Sequence, residues 1–122
     1  MPDYPRQRLP QHLLPLSVPV FQILLSLADQ HLHGYAIIQD VRRRTEGEVV
    51  LTASTLYAAI KRMLDGGLIE ELDDRPAPAE DDSRRRYYAI TPFGLEVARL
   101  EAARLQRALA MARRKRLAPK AV

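Results

Sequence analysis

The chain of 122 residues has no cysteine and no tryptophan, and aromatics make up 6% of it. Without cysteine there is no disulfide framework, no thiolate zinc site and no thiol nucleophile, and the composition fits a reducing cytosol. Its apolar runs are short and interrupted, which excludes a membrane-spanning helix. Residues 1–12 are polar and lack the apolar centre of a secretory leader, so a cytoplasmic protein is expected. No phosphate-cradling glycine loop, Ser/His/Asp ordering or metal-ligand spacing is present. His31 and His33 stand without the carboxylates a metal site needs and read as turn residues. An enzyme, a cofactor and a bound metal are therefore not expected.

What is present points elsewhere. A hydrophobic content of 47% supports a packed core, and 19 Lys plus Arg against 15 Asp plus Glu leave a charge of +4. A modest basic surplus suits a polyanion partner without proving one. The most informative stretch is TASTLYAAIKRMLD, Thr52 to Asp65. Thr52 is a good N-cap, because its hydroxyl oxygen can accept a first-turn backbone N–H. Leu56, Ile60, Met63 and Leu64 recur at helical spacing and form one apolar stripe. The other face carries Ser54, Thr55, Ala58, Lys61 and Arg62. Small polar groups, a methyl and two cations can enter a DNA groove and meet phosphates and base edges. The bland alternative is an ordinary solvated helix face.

The neighbours of this helix decide between these readings. Residues 1–15 hold four prolines and read as an arm, with Leu13 and Leu14 docking at its end; Arg6, Arg8 and His12 lie along it. A first, buried helix is expected over residues 18–32, capped by Ser17 with Pro19 in its first turn. A second opens at Gly34-Tyr35, with Tyr35, Ile38 and Val41, and Ile37 nearby, as its inner face and Arg42, Arg43 and Arg44 near its C-terminus. Residues 46–51 form a connector in which Val49 to Leu51 can add a short strand. The Thr52 helix stops at Gly66-Gly67. Strands are expected over 68–72 and 84–90, joined by an acidic, proline-bearing loop into a hairpin. Thr91 caps a long last helix running to about Leu117. Leu95, Ala98, Ala102, Leu105, Leu109 and Ala112 make a heptad seam on it, and Phe93, Val97 and Leu100 lie on the opposite side of its first half. One face can lie on its own domain; the other is best covered by a second copy of the chain.

The expected fold is therefore mainly α with a small β-hairpin: a winged helix-turn-helix over residues 16–90, a dimerisation helix over 91–117 and a tail over 118–122. In that arrangement the third helix faces the major groove, and arginines at the base of the wing reach phosphates or a narrow minor groove.

Three segments, HGYAIIQDV, LTASTLYAAIKRMLDGGLIEE and RRRYYAITPFG, in this order and spacing, resemble the PadR-like transcriptional regulators over roughly Leu16 to Gly94. The resemblance implies a homodimeric winged-helix repressor on double-stranded DNA, with the single C-terminal helix of its short members as dimer arm. It also implies release by a small-molecule effector, often aromatic, bound near the dimer interface. Carried over by position, Ser54, Thr55, Tyr57, Ala58, Lys61 and Arg62 match the recognition helix, Tyr35 the start of the second helix, and Arg84, Arg85 and Arg86 the basic base of the wing, where strand alternation points Arg84 and Arg86 to one side and Arg85 to the other. For Tyr57 two readings stand, a packed core aromatic or a hydroxyl on a phosphate. Tyr35 reads first as a packing residue. Two departures stand out. Ala53-Ser54 replace the proline and glycine that follow the cap in many members, and Glu80, Asp81 and Asp82 put negative charge at the wing tip. The Leu/Ala seam offers little for an aromatic stacking pocket. The acidic tip also leaves open the alternative of a winged-helix protein–protein interaction module without DNA binding.

Overall fold

The structure, a computed structural model, describes residues 9–72 and 86–119. A 3-10 turn, Pro10–Leu13, leads into α1, Val18–Leu27. There follow β1, Leu32–His33, then α2, Gly34–Arg44, and α3, Ala53–Asp65. Two strands, β2, Ile69–Leu72, and β3, Tyr87–Ile90, precede α4, Pro92–Arg114.

Side-chain caps start every α-helix. The Ser17 hydroxyl accepts the Val20 N–H, Thr52 accepts that of Thr55, and Thr91 accepts that of Gly94. The fourth cap is His33, whose Nδ1 accepts the Ala36 N–H at 3.2 Å. The end of α3 is a Schellman turn. Leu68 N–H donates to Met63 C=O at 2.9 Å, Gly67 N–H to Leu64 C=O at 3.1 Å, and Gly67 takes the left-handed conformation at φ +78°. Glycine carries no Cβ penalty there.

Ile23, Leu24 and Leu27 of α1 form the centre of the core and meet Ile37 and Val41 of α2, Leu56, Ile60 and Met63 of α3, and Val97 of α4. Leu13, Leu14 and Leu16 of the arm pack against this cluster from outside. The start of α4 is bolted to the turn after α3. Thr91 donates its hydroxyl to the Gly67 carbonyl at 2.6 Å and its N–H to Leu68 at 3.1 Å. The backbones approach so closely that a side chain at Gly94 would collide with the Leu68 carbonyl.

Several boundaries differ from the expectation. The first helix ends at Leu27, not residue 32, because Leu32 and His33 pair with Tyr88 and Tyr87 as a third strand. The sheet thus has the order β1-β3-β2, with the expected hairpin registered Ile69 to Ile90 and Leu72 to Tyr87. Val49 to Leu51 form no strand; Leu51 simply turns into the core. The returning strand begins at Tyr87, and α4 ends at Arg114.

Tyr35 is not on the inner face of α2. It is 64% exposed, and Ile37 and Val41 carry that face instead. Tyr35 lies two residues, a little over half a turn, before the buried Ile37, so it points outward. Along α4 the domain-facing stripe is Gly94, Val97 and Glu101, with Phe93 and Ala98 leaning on the core, so Ala98 of the expected seam is partly used within the chain. Leu105 and Leu109 remain exposed.

Two buried carboxylates tie elements together, and the sequence reading missed both. Asp40 accepts from Ser26 Oγ at 2.7 Å, from Arg44 Nε at 2.8 Å and from Arg43 at 2.6 Å. Arg44 also reaches the Gln22 carbonyl at 3.1 Å, so the group locks α2 to α1. Burial opposes the charge of Asp40. The hydrogen bonds from Arg44 and Ser26 and the two guanidinium charges outweigh it and hold the carboxyl below its usual range. Glu101 takes a hydrogen-bonded guanidinium from Arg104 and the Leu16 N–H at 3.2 Å, which fastens the arm to α4. Chiefly through Arg104, its carboxyl too is held low.

Candidate nucleic-acid interface

Of the expected apolar stripe of α3, Leu56, Ile60 and Met63 are buried and Leu64 is only partly so; Ala59, which the spacing did not single out, is buried with them. The same rotation leaves Ser54, Thr55, Ala58, Lys61 and Arg62 exposed together on the outer face. Lys61 Nζ lies 3.5 Å from Asp65 with both side chains more than 70% exposed, so water and salt screen the pair and it binds Lys61 only weakly. Tyr57 is half exposed at 50%. Its phenol oxygen lies against Gly34, at the first residue of α2. Tyr57 is therefore neither a buried core aromatic nor a side chain held clear of the domain.

The arginines divide into bound and available ones. Arg43 and Arg44 serve Asp40, while Arg42 is exposed. The Asp40 pairing was readable, since residues three and four apart meet on one helix face. At the wing, Arg86 pairs across the sheet with Glu71 at 3.1 Å, a partner that sequence alone did not suggest. Arg84 and the acidic tip Glu80, Asp81 and Asp82 lie outside the described residues, as do Arg6 and Arg8.

A groove of about 420 Å³ runs between the arm and the C-terminal end of α3. Leu16, Val20, Met63 and Leu68 line it, with Arg62 and Asp65 beside them. Among the described residues no helix is long and apolar enough to cross a membrane.

Helices in this order, an antiparallel sheet after α3 and a polar, cationic outer α3 face make a winged helix. The sequence profile of the PadR-like family of transcriptional regulators matches residues 23–100. The chain belongs to the PadR-like family. Membership places it among DNA-binding transcription regulators rather than enzymes. Two solved structures agree in fold and class. A transcriptional regulator from Clostridium thermocellum superposes with a TM-score of 0.67 at 25% identity, covering 79% of this chain and 87% of its own. A PadR family regulator from Clostridium difficile gives 0.67 at 25% identity, covering 80% and 97%. The PcaV transcriptional regulator of Streptomyces coelicolor, solved in complex with its natural ligand, gives 0.60 at 25% identity over 77% of this chain and 58% of that one. An uncharacterized protein of Lysinibacillus sphaericus is 31% identical over 72 residues, which is 59% of this PadR-like chain and 63% of that relative's length.

Proposed function

We propose that this PadR-like regulator is a homodimeric repressor that sets the outer face of α3 into the major groove of a pseudo-palindromic operator. The observation that carries this reading is the division of α3 itself: Leu56, Ile60 and Met63 of the stripe are buried with Leu64 partly so, and Ser54, Thr55, Ala58, Lys61 and Arg62 are exposed on one side. Ser54, Thr55 and Ala58 are short enough to approach base edges. Lys61 and Arg62 supply the salt-dependent attraction to phosphates. Exposed Tyr35, at the start of α2, and Arg86, released from Glu71, are the further candidates for backbone contact, and Arg84, outside the described residues, is a candidate from sequence alone.

The dimer reading rests on α4. Leu105 and Leu109 are two large apolar side chains, four residues apart and exposed at 41% and 40%. With Leu95, Ala102 and Ala112 they continue a seam that suits a second α4. Two copies so joined would present their recognition helices about 34 Å apart, one turn of duplex. Leu105→Glu combined with Leu109→Glu should convert the dimer to a monomer and weaken operator binding with it. Sedimentation shows the first and titration of labelled duplex the second. A dimer of unchanged mass would refute the seam.

Repression follows if the bound dimer blocks polymerase. The direct test is binding to the DNA upstream of the protein's own coding sequence across a salt series. Absence of binding at low salt would overturn the reading.

A small-molecule effector completes it. The neighbour PcaV carries a natural ligand, and the groove beside the arm sets an apolar lining next to Arg62. An aromatic acid seated there would compete for a cation the DNA reading uses. Duplex retention measured with a panel of small aromatic acids should fall for at least one; uniform retention counts against the site.

A further inference from the structure

Tyr57 lies where three elements meet. It belongs to α3, and its phenol covers the first residue of α2, the helix that follows Leu32–His33 of the sheet. Gly34 is buried although it opens a helix. A Cβ there would run into the Tyr57 hydroxyl and stand 2.9 Å from Tyr57 Cζ and 3.2 Å from Leu56 Cδ2.

Backbone conformation does not demand glycine at this position. Only Gly47 and Gly67 among the glycines take positive φ. Alanine is the better helix former. The space a side chain would need is held mainly by the phenol end of Tyr57, so a methyl group at this position displaces Tyr57.

We propose that the Gly34–Tyr57 contact sets how closely α3 approaches α2, and that Tyr57 is a positioning residue for sequence discrimination by the α3 face. The inference rests on the DNA reading of that face. Base-edge contacts tolerate misplacement of only about 0.5 Å, whereas phosphate attraction is diffuse. Disturbing the contact therefore erodes the preference for one sequence more than the affinity for any duplex.

The test uses the full chain as wild type, Gly34→Ala, Tyr57→Leu, the double variant and Lys61→Ala. Each is titrated against a duplex that the wild type selects from a random pool and against a scrambled duplex. Gly34→Ala is expected to lose about tenfold or more in affinity for the selected duplex, the value of one good base contact. Binding to the scrambled duplex should change less than about twofold, a split that general loss of structure does not produce. In the Tyr57→Leu background, where the clashing atoms are gone, Gly34→Ala should add little further loss. Wild-type discrimination by Gly34→Ala, or additive effects of the two changes, overturns the proposal. If Gly34→Ala alone does not fold, the double variant decides. Recovery of folding, with discrimination equal to that of Tyr57→Leu alone, supports the contact, and continued unfolding refutes it. Lys61→Ala separates the two layers: undiminished affinity there, or no selection by the wild type, sinks the α3 reading itself.

Discussion

Alanine at both Lys61 and Arg62 is expected to weaken operator binding about 10- to 100-fold. The slope of log affinity against log salt should fall by about 2, one unit for each lost phosphate neutralisation. Both side chains are exposed, and among the described residues Lys61 makes only a loose contact with Asp65. Exposed pairs of this kind contribute about 0–1 kcal/mol, so neither the fold nor the free state gains much from them. Their removal should leave the melting temperature within a few degrees. Binding isotherms on one duplex at several salt concentrations supply both quantities. A reduced affinity with an unchanged salt slope would mean that these residues do not meet phosphates. Unchanged affinity would mean that another surface carries the DNA.

Asp40→Ala should cost about 3 kcal/mol of folding stability, or on the order of 10–20 °C in melting temperature. Removing one partner of a buried pair usually costs about 3–5 kcal/mol. The lower end applies because the Arg44 side chain is 31% exposed and keeps the Gln22 carbonyl and Ser26 as partners. The same group predicts a pH dependence. The carboxyl of Asp40 is held below its ordinary value in the folded state, so the unfolded chain binds a proton first as pH falls. Its contribution is fully present above about pH 4 and disappears as pH drops through the lower folded value. Glu101, depressed in the same direction, adds to the same acid limb. Urea melts between about pH 2.5 and 6 should show this loss in the wild type and a shallower one in Asp40→Asn. Parallel curves would show that the Asp40 carboxylate contributes nothing specific.

The α3 face was legible because it depends on local periodicity. Thr52, the Leu56–Ile60–Met63 stripe and the Gly66-Gly67 stop lie within one helix, and a helix face is settled by rotation alone. The same holds for the caps Ser17 and Thr91. Positions that depend on distant partners were not legible. Tyr35 seemed apolar enough for the core, yet packing turned α2 so that Ile37 filled that place. The strand at Leu32–His33 exists only because β3 arrives beside it, more than fifty residues later in the chain. Nothing local marks two residues as a strand. Glu101 looked like one more solvated charge on a charged helix. It is buried because the arm folds back and offers it the Leu16 N–H.

The amino-acid sequence by itself determined where this protein's described helices begin, which face of α3 is apolar, and the helix–hairpin–helix order of a winged helix. These follow from hydrogen bonds and side-chain spacing within about four residues. Tertiary structure alone decided which polar groups are spent inside the fold and which stay outside. It committed Asp40, Arg44 and Glu101 to fastening elements together, turned Tyr35 to solvent, and laid Tyr57 across Gly34. The reason is that burial is a property of what packs against a residue, and those neighbours lie far away along the chain.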